Sequence, residues 1–238
     1  MKNTINKFIR ELQAYKSTKN VFNPWRDYDE SFDIGPEAPS IRTYQIEQFL
    51  IPRISTAKYL LVAEAISYQG GKFTGVALSS ERILLGNHRT INPANLLQKA
   101  LGKRTSNPDN TVLNDTQRRL GFTEPTATIV WGEVVRNKIT PDKIITWNIF
   151  PFHPFNADKG SLSNRTPTDL ELEVGRYYTE MLFKIIPKIS IISIGVHSSR
   201  TLKRLGIESL RVPHPANGGA TKFRTAIKKI FATEESHF

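Results

Sequence analysis

Glu64, Asn148 and His214 stand at three points of the 238-residue chain where an apolar run gives way to a turn-rich segment, and Phe73 lies on the loop after the first of them. A carboxylate can balance positive charge and an imidazole N–H can hold negative charge. Glu64 and His214 are therefore the types of group that a heterolysis developing charge of both signs would need. Asn148 offers both a donor and an acceptor, and the Phe73 ring offers a face on which a planar group could stack. Each side chain also has a plain structural reading. Glu64 can turn outward into solvent, Asn148 can cap a turn, and His214, between Pro213 and Pro215, can be held rigid for packing alone.

To bring these groups together, strands must end beside one another. Tyr59-Leu60-Leu61-Val62-Ala63 is a continuous apolar run, the pattern of a strand covered on both faces in a parallel sheet. Runs at 143–147, 189–194 and 207–212 predict three more strands, with helical patterns between them. The expected fold class is α/β: a three-layer α/β/α sandwich around a central, mostly parallel four-stranded sheet. One domain is expected over 1–238, with an N-terminal helical extension over about 1–55. In open sheets of this kind ligands bind beyond the carboxyl ends of the strands, where Glu64, Asn148 and His214 would lie.

The helices have their own signals. Ile5, Phe8, Ile9 and Leu12 repeat at helical spacing; Pro24 cannot continue that helix, and Trp25 beyond it reads as a packing anchor. A second helix is expected over 41–54, with Tyr44, Ile46, Phe49 and Leu50 inward. Ser79-Ser80-Glu81 reads as the cap of a short helix, and Thr123 as the cap of a longer one carrying Val130 and Val134. Thr166 with Pro167 reads as the start of a helix whose core side is Leu170, Val174, Tyr177, Tyr178 and Met181. The polar stretch 87–122 reads as a functional or mobile insertion.

Lys and Arg number 33 against 22 Asp and Glu, a formal charge of +11, so a polyanion is the natural partner. Clustering favours DNA: the basic residues from Arg200 to Lys229, among them Lys222 and Arg224, are opposed by Glu208 alone. Gly218-Gly219 ahead of the last helix leaves backbone N–H groups open as a phosphate seat, whereas Lys228 and Lys229 read equally as a solvated helix face. With no Cys in the chain, disulfides, thiolate zinc sites and Cys-ligated iron–sulfur clusters are excluded. The Cys ligands of a zinc deaminase are missing for the same reason, and no metal or cofactor is expected. No GxGxxG follows the first strand, which weighs against a Rossmann-type nucleotide binder. No hydrophobic leader or bilayer-length apolar run is present, so a cytoplasmic protein is expected; it is also expected to be a monomer.

Three motifs together resemble the uracil-DNA glycosylase superfamily. Ala63-Glu64-Ala65-Ile66-Ser67, continued by Tyr68-Gln69-Gly70-Gly71-Lys72-Phe73-Thr74-Gly75, looks like the first motif, of Gly-Glu-Ala-Pro-Gly type. Trp147-Asn148-Ile149-Phe150-Pro151-Phe152-His153-Pro154 looks like the pyrimidine-reading Asn segment, and His214-Pro215-Ala216-Asn217-Gly218-Gly219 like the His-Pro-Ser-type motif. The resemblance covers most of the chain from about Asn23. It implies a metal-free glycosylase that flips a pyrimidine out of DNA and hydrolyses its bond to deoxyribose. Catalysis would fall to Glu64 and His214, base binding to Phe73, Asn148, Ser67 and Ile66, and DNA contact to Asn217, Gly218, Gly219, Lys222, Arg224 and Arg200. The departures matter as well. Ala65 stands where the best-known branch has its water-activating Asp, Ile66 and Ser67 replace the Pro and Gly, and Ser67 falls where uracil-selective members carry a bulky Tyr. Three readings follow: release of uracil or a 5-substituted pyrimidine, defence against foreign (phage) DNA bearing bulky modified cytosines, or a DNA-binding member that lost catalysis.

Overall fold

The computed structural model describes residues 2–97, 101–186 and 188–235. In chain order the elements are α1 (Lys2–Ala14), β1 (Val21–Phe22), α2 (Ala38–Leu50), β2 (Tyr59–Ala65), the short helices α3 (Gly71–Thr74), α4 (Glu81–Leu84), α5 (Ala94–Leu97) and α6 (Asp115–Leu120), then α7 (Pro125–Arg136), β3 (Ile144–Phe150), β4 (His153–Pro154), α8 (Asp169–Ile185), β5 (Ser190–Ile194), α9 (Gly195–Arg204), β6 (Leu210–Val212) and α10 (Ala220–Glu235). The four apolar runs form one parallel sheet in the order β3-β2-β5-β6. A further two-stranded antiparallel pair joins β1 to β4, which the sequence pattern did not indicate.

Parallel neighbours require crossovers, and right-handed crossovers put α7 on one face and α8 and α9 on the other. Helices thus cover both faces, and Leu60, Leu61 and Val62 on the central strand are wholly buried. Each such side chain contributes roughly 1.5–3 kcal/mol relative to leaving it exposed. The chain leaves β2 toward β3 on one side and returns to β5 on the other, so the strand order reverses at the carboxyl end of β2. A crevice opens at such a reversal because the two crossovers diverge.

Several expectations shift in detail. β2 and β3 run on to Ala65 and Phe150, so Glu64 and Asn148 sit within strands rather than just past them. Thr168, not Thr166, caps α8: its side chain accepts from the Glu171 N–H while the Glu171 carboxylate accepts from the Thr168 N–H. That moves the helix phase, leaving Leu170, Val174 and Tyr177 exposed and burying Leu172, Tyr178 and Leu182. On α2, Tyr44 faces solvent, and Arg42 and Gln45 take the buried positions. Arg42 is accommodated by two bonds to Asp33, at 2.7 and 3.0 Å, and one to the Pro24 carbonyl. Trp25 is a packing anchor, its indole N–H donating to the Gly75 carbonyl at 3.0 Å.

The insertion over 87–122 is tied down where it is described; residues 98–100 lie outside the described chain. Glu81 is the tie. Its buried carboxylate accepts from the N–H groups of Thr105, Ser106 and Phe122 and from the Ser106 hydroxyl.

Candidate functional site

At the carboxyl edge of the sheet lies a cavity of about 640 Å³, lined by Ala63 to Ser67, Gln69, Leu78, Glu124 to Thr126, Asn164 to Pro167, His214, Ala216 and Asn217. Glu64 reaches it from β2 and His214 from the turn after β6. Burial raises the Glu64 pKa by penalising the charged form, and His197 in the first turn of α9 partly offsets this. Among the described residues no hydrogen bond ties the Glu64 carboxylate. His214 sits on the open rim, where desolvation lowers its pKa and favours the neutral imidazole. Its Nδ1 accepts the Ala216 N–H at 3.1 Å, which places the ring proton on Nε2.

Close backbone approach makes this turn possible. A Cβ at Gly219 would collide with the His214 carbonyl, so only glycine fits there. Asn217 and Gly218 both adopt left-handed backbone, with φ of +52° and +78°, and Asn217 is thereby brought to the cavity wall.

Of the residues expected to hold a base, Ile66 and Ser67 line the cavity and Phe73 and Asn148 do not. Phe73 is wholly buried, its ring stacked on Phe122 at 4.5 Å and the Lys72 ammonium 4.2 Å from its centre. A base cannot reach a face that is already covered. The expected stacking platform is thus a packing residue, in a small satellite core with Leu113 and Phe122. Asn148 is 2% exposed and pairs in register with Ala63, so its side chain leaves the sheet on the face opposite Glu64. Its amide donates to the Ala65 carbonyl at 2.9 Å, and its Oδ1 is buried without a partner among the described residues. That bond fixes the amide's orientation, so Oδ1 is the acceptor left over.

Other residues shape the site without having been singled out from the sequence. His153, fully buried, lies 3.0 Å from both the Ile66 and Ser161 carbonyls, tying the first motif to the 155–168 segment. Burial holds its pKa down to about 4. Asn164 clamps the next turn by accepting the Tyr68 N–H at 3.0 Å and donating to the Ser67 hydroxyl at 3.4 Å. Leu78 lines the cavity at a φ of +50°, a conformation disfavoured for a branched side chain. Its turn is braced by Trp131, which donates to the Leu78 carbonyl, and Thr146, which donates to that of Ala77. Arg165 also lines the cavity, but its guanidinium is engaged by Glu171 at 2.6 and 2.7 Å. The second cavity carboxyl, Glu124, carried no signal beyond its place in a helix start.

The basic C-terminal segment is less uniform in space than in sequence. Lys222, Arg200, Lys228 and Lys229 are exposed. Arg204 instead pairs with Asp169 at 2.7 Å, and Arg224 approaches Glu133 at 3.3 Å. Among the described residues no cluster of three or more His, Asp or Glu could hold a metal ion, and no helix is long and apolar enough to cross a membrane.

No protein-family model matches the chain, and no curated protein sequence does. A solved structure does. Wild-type SMUG2 of Pedobacter heparinus superposes over 98% of this chain and 97% of its own, with a TM-score of 0.60 and 13% sequence identity. The two proteins share a fold. The match spans the N-terminal helices as well as the sheet, so α1 and α2 belong to the shared architecture.

Proposed function

We propose that the protein is a monofunctional DNA N-glycosylase that takes up a flipped pyrimidine and hydrolyses its bond to deoxyribose, leaving an abasic site. One observation carries this reading: a carboxylate and a neutral imidazole N–H line one cavity at the carboxyl edge of the sheet. The fold shared with SMUG2, a member of the uracil-DNA glycosylase superfamily, supports it.

As the bond to the base breaks, Glu64 balances the positive charge on the sugar and accepts a proton from the attacking water. Its raised pKa makes it a stronger base than a solvated carboxylate. His214 donates from Nε2 to the departing base; a neutral imidazole serves here because it stabilises negative charge without first giving up a proton. The backbone N–H groups at 218–220, with Lys222, Arg224 and Arg200, would hold the flanking phosphates.

For the substrate, the cavity volume falls in the range of pockets that enclose a drug-sized ligand, more than one pyrimidine ring fills. With Ser67 on its wall and no bulky ring there, the reading favours pyrimidines substituted at carbon 5 over unmodified uracil. Bulky modified cytosines of foreign DNA fall in that class, and their removal would be a defence rather than a repair activity. The test is incubation with DNAs differing in one base, followed by detection of abasic sites in the presence of EDTA. Release of free base with the strand left intact is expected. Strand cleavage without added base, or activity lost to the chelator, would overturn the mechanism.

A further inference from the structure

Four ionisable side chains line the cavity: Glu64, His214, Arg165 and Glu124. The first two have roles above and Arg165 is held by Glu171, which leaves Glu124. Only 8% of it is exposed. It occupies the N-cap of α7, where a carboxylate ordinarily accepts from first-turn N–H groups, yet it makes no capping bond. Among the described residues no donor or cation reaches its carboxyl, which packs so tightly over Gly70 that a Cβ there would collide with it. A helix cap or an ion-pair partner would be satisfied by its neighbours. This carboxyl is satisfied by none and faces the space a base would fill.

Burial without a partner favours the neutral acid, and the Glu124 pKa is pushed up to about 8. The charged and titratable groups around it do little to oppose this. Glu64 faces the cavity from β2 and His214 from the turn after β6, Arg165 is neutralised by Glu171, and Lys72 beyond the Gly70 turn is paired with Asp29 at 2.9 Å. Tyr68 of that turn packs against Phe122.

We propose that Glu124 is the general acid of the reaction, giving its proton to the departing base and so admitting 4-amino (cytosine-type) pyrimidines as substrates. This rests on the glycosylase reading above. In the step, water adds its hydroxyl to C1′ and its remaining proton passes to Glu64. The electron pair of the C1′–N1 bond leaves with the base, which takes the Glu124 proton on N3 and departs neutral. Glu64 then holds a proton and Glu124 is ionised, and exchange through solvent restores both. A uracil anion spreads its charge over two carbonyls and leaves without such help. A cytosine-type anion is a poorer leaving group and has a free N3 lone pair to receive the proton.

Single-turnover base release should be measured for the unmodified protein, Glu124→Gln and Glu124→Asp on paired DNAs carrying one uracil or one 5-substituted cytosine. Glutamine keeps the shape and an N–H but has no proton to transfer. Release of the cytosine-type base is expected to fall by at least about a hundredfold in Glu124→Gln, a distinctly larger loss than on uracil, with partial recovery in Glu124→Asp. In the unmodified protein, release of the cytosine-type base should decline as pH rises through about 8, a limb that Glu124→Gln lacks. This limb needs no variant and stands even if a substitution unfolds the chain. Equal loss on both bases, no loss on either, or no such pH limb would overturn the proposal alone. No base released from any DNA by the unmodified protein would instead remove the glycosylase reading beneath it.

Discussion

Glu81 and Glu124 are both buried carboxyls at the amino ends of helices, one before and one after the insertion over 87–122. The Glu81 carboxylate accepts four hydrogen bonds from Thr105, Ser106 and Phe122, and among the described residues the Glu124 carboxyl accepts none. Burying a charge is costly unless donors replace the lost water. Glu81 has those donors and organises the insertion; Glu124 and Glu64 lack them and face a cavity. The region that holds the fold thus differs from the region suited to chemistry in whether its carboxyls are satisfied.

The largest effect should come from breaking the satisfied one. Glu81→Ala leaves three buried N–H groups and a hydroxyl without an acceptor, and thermal or denaturant unfolding should register a loss of about 3 kcal/mol or more. A near-normal midpoint would mean that the insertion is not held by this residue. Glu64→Gln and His214→Ala should leave the midpoint unchanged while base release falls at least about a hundredfold. Near-normal turnover in both would show that the chemistry lies elsewhere.

Next comes a pH effect on stability. A carboxyl whose folded pKa of about 8 exceeds its ordinary value of 4.5 supports the fold fully below the ordinary value, and that support is lost as pH rises through the folded one. Glu124→Gln abolishes this loss. Its melting temperature should therefore gain on the unmodified protein progressively between pH 5 and pH 8, roughly the window these two values bracket. A constant offset across that range would mean that Glu124 is ionised in the fold.

The smallest effects concern the surface. Lys222→Ala should reduce the slope of log affinity for DNA against log salt by about one. Arg224, which is 43% exposed and already beside Glu133, should change the slope less. Equal slopes for the two variants would mean that Glu133 does not compete with phosphate for Arg224.

The sequence alone determined the four strands, their parallel sense and the gathering of Glu64 and His214 at one sheet edge. Continuous apolar runs alternating with helical periodicity allow few other arrangements. Tertiary structure decided what local pattern cannot carry. Phe73 is hidden because Phe122, far along the chain, covers its ring. Arg204 and Arg224 are partly neutralised by Asp169 and Glu133, acids outside the basic segment. The phase of α8 turns on which of two threonines forms the reciprocal cap with Glu171. Glu124 looks in sequence like an acidic residue in a favourable first turn, and only the packing of Gly70 and the cavity wall shows that it is buried without a partner. Periodicity is set by neighbours a few residues apart, whereas burial and charge pairing depend on residues that the fold alone brings into contact.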